Sequence, residues 1–292
     1  MNDKSITSLK KFYIKRFKAI FPMFYISFSV FFIRNAINAK ALFYRTDCSP
    51  WTLIFSVIGM DGYFRYAFVN YYILGEWFLG AIIIAYLVYP LLLKGIEKIP
   101  LITTTILTLL FAFMLINHKL GQPVAITIEP TTPLLATLQS ILNIDTFRNP
   151  ISCIFAFYVG MLFFKYKQVL ESNLALFIAL GITVVVAFIP FNISQTLSQH
   201  IMGYSLFIVL YHMGTILCKN KLLEQLSLFF GKISYPIFLL QAVFVQEMLA
   251  IQNPIHGKQM LLWMFITILF ISACATLLQF VTKLIMKPFK SK

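Results

Sequence analysis

Eight long, almost uncharged apolar runs govern what this chain can become: Ile20–Ile37, Trp77–Leu93, Ile99–Ile116, Pro150–Phe164, Leu174–Phe191, Ile201–Cys218, Ile233–Ile251 and Met260–Ile285. A helix needs roughly 20 apolar residues to cross the hydrocarbon core of a bilayer. The runs are continuous and lack the strict alternation of a membrane barrel strand. The predicted fold class is therefore all-α, a polytopic membrane helix bundle with about eight transmembrane helices. Composition agrees, with 60% hydrophobic and 12% charged residues, where a soluble domain carries about 25% charged. Lipid, not water, must surround most side chains, so membrane lipid is the first expected partner. Trp51–Met60 is apolar but too short to span, and the turn Asp61-Gly62 follows it. An interfacial or re-entrant piece is expected there.

Charge supplies the orientation. An even number of spans puts both termini on one side. That side collects Lys4, Lys10, Lys11, Lys15, Arg16 and Lys18 before the first span, then Lys94, Lys98, Lys165, Lys167, Lys219, Lys221, Lys232, Lys283, Lys287, Lys290 and Lys292. The opposite side holds only Arg34, Lys40, Arg45, Arg65, Lys119, Arg148 and Lys258. Basic loops face the cytoplasm, so both termini are predicted to be cytoplasmic. The same rule accounts for the net charge of +14, and no nucleic-acid partner is expected. The N-terminal stretch does not read as a cleavable signal peptide, because its apolar run is full-length and no small-residue cleavage site follows. Cys48, Cys153, Cys218 and Cys274 have no metal-ligand spacing. No metal is expected, and four cysteines without disulfides are favoured over a Cys48–Cys153 bridge.

Four groups of residues could carry chemistry. The stretch from Lys10 to Pro22 is basic and aromatic, and it runs into the first span. On a helix, Lys11, Lys15 and Lys18 share a face. Such a face suits a phosphorylated donor or, as plainly, anionic lipid. Next, Glu76-Trp77-Phe78-Leu79 opens the second span. Glu76 is either a helix cap favoured by the dipole or a catalytic carboxylate, and Trp77 is an interfacial anchor or a substrate contact. His212 lies inside a span, where ionisable groups are costly. It is a candidate general base or a neutral hydrogen-bonding group between helices. His118, His200 and His256 are expected at solvated surface. Finally, Ser234 and Tyr235 are expected to begin a membrane helix with Pro236 in its first turn. Gln241 then requires a partner within the span.

Taken together, these pieces resemble the acyltransferase-3 family of bacterial membrane proteins. The carriers are Lys15-Arg16-Phe17-Lys18-Ala19-Ile20-Phe21-Pro22, then Glu76-Trp77-Phe78-Leu79 with Tyr89-Pro90-Leu91-Leu92, then Gly231-Lys232-Ile233-Ser234-Tyr235-Pro236-Ile237-Phe238-Leu239. The resemblance implies one membrane domain over residues 1–292 in the bacterial cytoplasmic membrane. It implies acyl transfer, commonly of acetyl from acetyl-CoA, onto hydroxyls of surface polysaccharide or its lipid-linked precursor. It also implies donor contacts at Arg16 and Lys18, with Lys15 beside them.

The chain departs from the family pattern in three places. The family's opening helices, with an Arg and the presumed catalytic His, have no counterpart here, so the resemblance implies an N-terminally truncated reading frame. Ala19 stands where the family often has a second Arg, and Gln241 stands where many relatives have His. With the usual His absent, His212 and Glu76 are the catalytic candidates. A transporter or flippase of lipid-linked glycans is the alternative reading, and a glycan polymerase a further one.

Overall fold

The computed structural model describes residues 9–74, 77–119, 146–189, 193–251 and 258–287. Their regular structure is helical: α1 (Leu9–Ala39), α2 (Leu53–Val57), α3 (Asp61–Phe64), α4 (Trp77–Lys98), α5 (Pro100–Lys119), α6 (Pro150–Lys165), α7 (Lys167–Leu170), α8 (Asn173–Phe188), α9 (Gln195–Leu217), α10 (Lys221–Ile251) and α11 (Lys258–Met286). The described part of each of the eight apolar runs lies on its own helix, to within one residue at the ends. Five helices, α1, α4, α9, α10 and α11, are long and apolar enough to cross a membrane. Three more, α5, α6 and α8, are apolar but shorter. At 16 residues each, α6 and α8 reach roughly 24 Å, short of the about 30 Å core. Large apolar side chains point outward throughout, Phe188 at 81% exposure and Leu101 at 79%. The chain is a polytopic membrane helical protein.

Two compact units divide the chain. The first holds residues up to Trp77 and from Leu226 onward. In it α1 packs against α11, and Phe244 of α10 bridges them, 5.9 Å from the Phe31 ring and 5.1 Å from the Phe270 ring. Phe24, Tyr63, Tyr71, Leu74, Ile233 and Leu239 are buried. Between α1 and α4 the chain forms a small helical cap. Phe55 stacks on Phe64 at 4.3 Å, and Trp51 meets Phe55 edge-on at 5.5 Å. This is the short piece that the sequence predicts cannot span.

The second unit runs from Phe78 to Gln225. Here α8 and α9 form a tightly packed pair, tied by the Thr183–Ser205 hydroxyl bond at 3.0 Å. Phe111 of α5 stacks on Phe155 of α6, centroids 4.5 Å apart and 8° from parallel. Asn149, Ser172 and Ser194 cap α6, α8 and α9 by accepting a first-turn backbone N–H.

Prolines shape both units. Proline lacks the N–H that would bind the carbonyl four residues back, and in lipid that carbonyl needs another donor. Pro236 releases Lys232 O, which accepts from Gln279 Nε2 of α11 at 2.7 Å. Pro100 releases Ile96 O, which accepts from Lys165 Nζ at 2.7 Å. Pro236 therefore lies inside α10, not in the first turn of a helix as expected from sequence. The helix starts at Lys221, where Asn220 Oδ1 accepts the Leu222 N–H at 2.9 Å. Ser234 is thus not a cap; its hydroxyl donates to Gly231 O at 2.9 Å. None of the four cysteines, all described, is in a disulfide.

Candidate functional site

The two ends of α1 differ in chemistry. From Leu9 to Ala39 the helix has no acidic residue, and its first turns carry Lys10, Lys11, Lys15, Arg16 and Lys18. Lys15, Arg16 and Lys18 are all exposed. The Arg16 guanidinium lies 5.4 Å from the Phe12 ring centre, and Phe17 stacks on Phe21 at 4.6 Å. Aromatic packing thus braces the basic face while its charges point outward. A face built this way attracts anions, phosphate in particular.

Arg34 lies at the other end, roughly 27 Å along the helix from Arg16, a distance close to the thickness of the hydrocarbon core. It forms an ion pair with Glu247 of α10, and its guanidinium sits 5.0 Å from the Phe31 ring. Arg45 grips Asp47 through Nε at 2.9 Å and Nη2 at 2.5 Å, and donates from Nη1 to Asn70 O at 2.7 Å. The shared bonds raise the Arg45 pKa and lower that of Asp47. Asn70 in turn donates to Asp61 O at 3.0 Å. Asp61 is fully buried, its carboxylate accepting from Ser56 Oγ and the Gly62 N–H, each at 3.0 Å. Loss of water pushes the Asp61 pKa up to about 7, against the opposing pull of those two donors and Arg65. This network holds the cap's final strand of chain, with Tyr72 and Ile73, against α1 and α10. The result is a cavity of about 390 Å³ whose walls include Arg34, Asn35, Tyr44, Tyr72, Gln246 and Glu247.

A second cavity of the same unit, about 700 Å³, runs between α10 and α11 and is lined mostly by aliphatic and aromatic side chains with Gln241 and Thr267 among them. The polar Gln241 singled out in the sequence therefore faces this apolar space.

In the second unit, His212 lies on α9 and its Nε2 meets Leu170 O at 2.7 Å. A carbonyl can only accept, so Nε2 carries a proton, and in the neutral imidazole the lone pair is then on Nδ1. His200 is not the solvated surface histidine expected from sequence. It is half-buried, with Ser152 Oγ 2.7 Å from Nε2 and Tyr204 Oη 2.8 Å from Nδ1, and it meets Phe111 edge-on at 5.0 Å. Ser194 caps α9, and the first turns of that helix bring His200 against Ser152 of α6. Trp77 is half-buried at the start of α4, its backbone N–H donating to Tyr72 Oη at 3.2 Å. Glu76 lies outside the described residues.

Of the predicted site residues, Lys15, Arg16 and Lys18 are all exposed on the first turns of α1, whereas Trp77 is tied to Tyr72, a wall residue of the polar cavity. Arg34 and Glu247 escaped prediction as a pair. A lone arginine and a lone glutamate in separate apolar runs were the available signal, since each demands a partner in lipid.

The fold and these charged ends define a multi-pass membrane protein with an anion-attracting helix face and a polar cavity. The chain belongs to the acyltransferase-3 family: the family's acyltransferase domain matches residues 2–280. No curated protein and no solved structure matches the chain. It is a membrane acyltransferase by family, and membership carries the implication of an acyl donor and an acceptor.

Proposed function

We propose that this protein moves an acyl group, acetyl in the simplest case, from acyl-CoA to a hydroxyl of a surface polysaccharide or its lipid-linked precursor. The family match over nearly the whole chain carries the reading. In the reaction the acceptor oxygen forms a bond to the thioester carbonyl carbon. The carbon–sulfur bond breaks, and the hydroxyl proton ends on the departing CoA thiol. A sugar hydroxyl is a weak nucleophile until that proton is removed.

In this reading Arg16, Lys15 and Lys18 hold the donor's phosphates on the cytoplasmic side of a bacterial inner membrane. Both termini and these basic turns share that side, as the distribution of lysine and arginine supports. Eight membrane-embedded helices carry the chain between the two faces. His212, through Nδ1, and Glu76 are the proposed proton acceptors, and Trp77 contacts the acceptor. Radiolabelled acetyl-CoA supplied to membranes carrying the protein is expected to label surface glycan. Arg16→Ala is expected to weaken acetyl-CoA binding. Glycan movement across the membrane with no acetyl-CoA binding at all would sink the acyl-transfer reading in favour of a flippase.

A further inference from the structure

The polar cavity at the C-terminal ends of α1 and α10 has the composition of a carbohydrate site. Its volume, about 390 Å³, falls in the range of about 300–1,000 Å³ usual for small-molecule pockets. Tyr44 and Tyr72 give it aromatic surface, and Asn35, Gln246, Arg34 and Glu247 give it planar groups that donate and accept hydrogen bonds. Sugar rings offer the complement, with apolar C–H faces edged by hydroxyls that both donate and accept. The walls are already set. Arg34 is held by Glu247 and by Asn35 Oδ1 at 3.3 Å, and Asn35 Nδ2 reaches Tyr44 Oη at 3.4 Å. The Arg65 guanidinium lies 4.4 Å from the Tyr72 ring. Preorganised walls reduce the ordering cost of binding.

Charge narrows the ligand further. The two arginines that line the cavity are each paired with a carboxylate, Arg34 with Glu247 and Arg45 with Asp47, which leaves neither of them a full charge to offer a phosphate or a carboxylate. This contrasts with the far end of α1, whose own first turns carry five basic residues and no acidic one in sequence. The aliphatic cavity between α10 and α11 suits hydrocarbon instead.

We infer that the cavity walled by Arg34, Asn35, Tyr44, Tyr72, Gln246 and Glu247 binds an uncharged, polyhydroxylated sugar ring of the acceptor glycan. That the glycan is the acceptor rests on the acyl-transfer reading; sugar binding stands on the cavity itself.

The test is capture in growing host cells, whose own surface glycans serve as the probe. Photoreactive benzoylphenylalanine replaces Gln246, an exposed wall residue. In a separate protein it replaces Ile14, exposed beside the basic turns at 44%. After irradiation the crosslinked peptides are analysed by mass spectrometry for periodate-sensitive saccharide. The expected result is a neutral saccharide adduct at position 246 that is lost when Tyr44→Leu is added. Only phospholipid, CoA or no adduct at 246, in protein that remains membrane-inserted and monodisperse, would overturn the inference. An exclusively acidic saccharide there, or capture indifferent to Tyr44→Leu, would overturn it as well. A CoA adduct at position 14 reports on the donor face separately. Its absence alongside saccharide at 246 would count against the donor assignment and leave the cavity's role intact.

Discussion

Lys40 adopts φ 53°, a left-handed conformation that costs a side chain with a Cβ roughly 1–2 kcal/mol. The reason is the way α1 ends. The Ala41 N–H reaches back to Ala36 O at 3.0 Å and the Lys40 N–H to Ile37 O at 3.1 Å, the paired bonds of a Schellman cap. Gly59 fills the equivalent position after α2 at φ 71° without that penalty. Lys40→Gly is therefore expected to stabilise the protein by about 1 kcal/mol, read as a rise in Tm in detergent. Asp61 is a second residue whose environment sets its behaviour. Burial raises its pKa from 3.8 to about 7, so the folded state holds the proton more tightly than the unfolded chain. The resulting stabilisation is complete below about pH 4 and disappears as pH climbs through about 7. Asp61→Asn can accept the Gly62 N–H with its oxygen and donate to Ser56 Oγ with its nitrogen. It is expected to unfold at higher temperature than the parent above pH 7, and to flatten the pH dependence of Tm below it. An unchanged slope would show that the carboxyl titrates as it does in water.

At the scale of elements, side chains on neighbouring helices complete backbones that prolines interrupt. Gln279 donates to Lys232 O because Pro236 cannot, and a hydrogen bond of this kind contributes about 0.5–1.5 kcal/mol. Gln279→Ala is expected to lower Tm in the parent and to do less in a Pro236→Ala background, where the helix supplies its own donor. Equal losses in both backgrounds would mean that Gln279 acts by packing alone. The α4–α5 turn is tight for a different reason. A Cβ on Gly95 would lie 2.5 Å from Thr103 Oγ1 and 3.2 Å from its Cβ, and Thr103 is stiff at χ1. Gly95→Ala is expected to destabilise by about 1–3 kcal/mol, with Thr103→Ala restoring most of the loss by removing the two nearest atoms. Sequence made the helices legible because apolar run length alone dictates them in lipid. It did not show where α10 begins, since Ser234 and Pro236 look like a helix start until Asn220 is seen capping the chain a few turns earlier. Nor could it join Ser152 to His200, or Arg34 to Glu247, because helix runs specify faces and not neighbours.

Over the whole molecule, what was legible of the candidate site was its charged end. A cluster such as Lys10 to Lys18 needs no tertiary partner to be recognised, whereas the cavity is built from α1, the cap and α10, segments far apart in the chain. The two differ physically in a way that binding should reveal. Exposed cations act through water and salt, and the screening length shrinks from about 10 Å at 0.1 M to about 3 Å at 1 M. The donor face therefore depends on ionic strength, while a neutral sugar held by hydrogen bonds and ring contact does not. Acetyl-CoA carries phosphates for Lys15, Arg16 and Lys18 to grip; acetyl-pantetheine presents the same thioester without them. At low salt acetyl-CoA is expected to bind at least about tenfold more tightly, the equivalent of about 1.4 kcal/mol. That advantage should fade toward 1 M salt and be reduced by Lys15→Ala with Arg16→Ala. Saccharide capture at position 246 should survive the same salt. If the two donors bound equally at low salt, the basic turns would be left with anionic lipid as their ligand, and the thioester would have to be recognised elsewhere in the bundle.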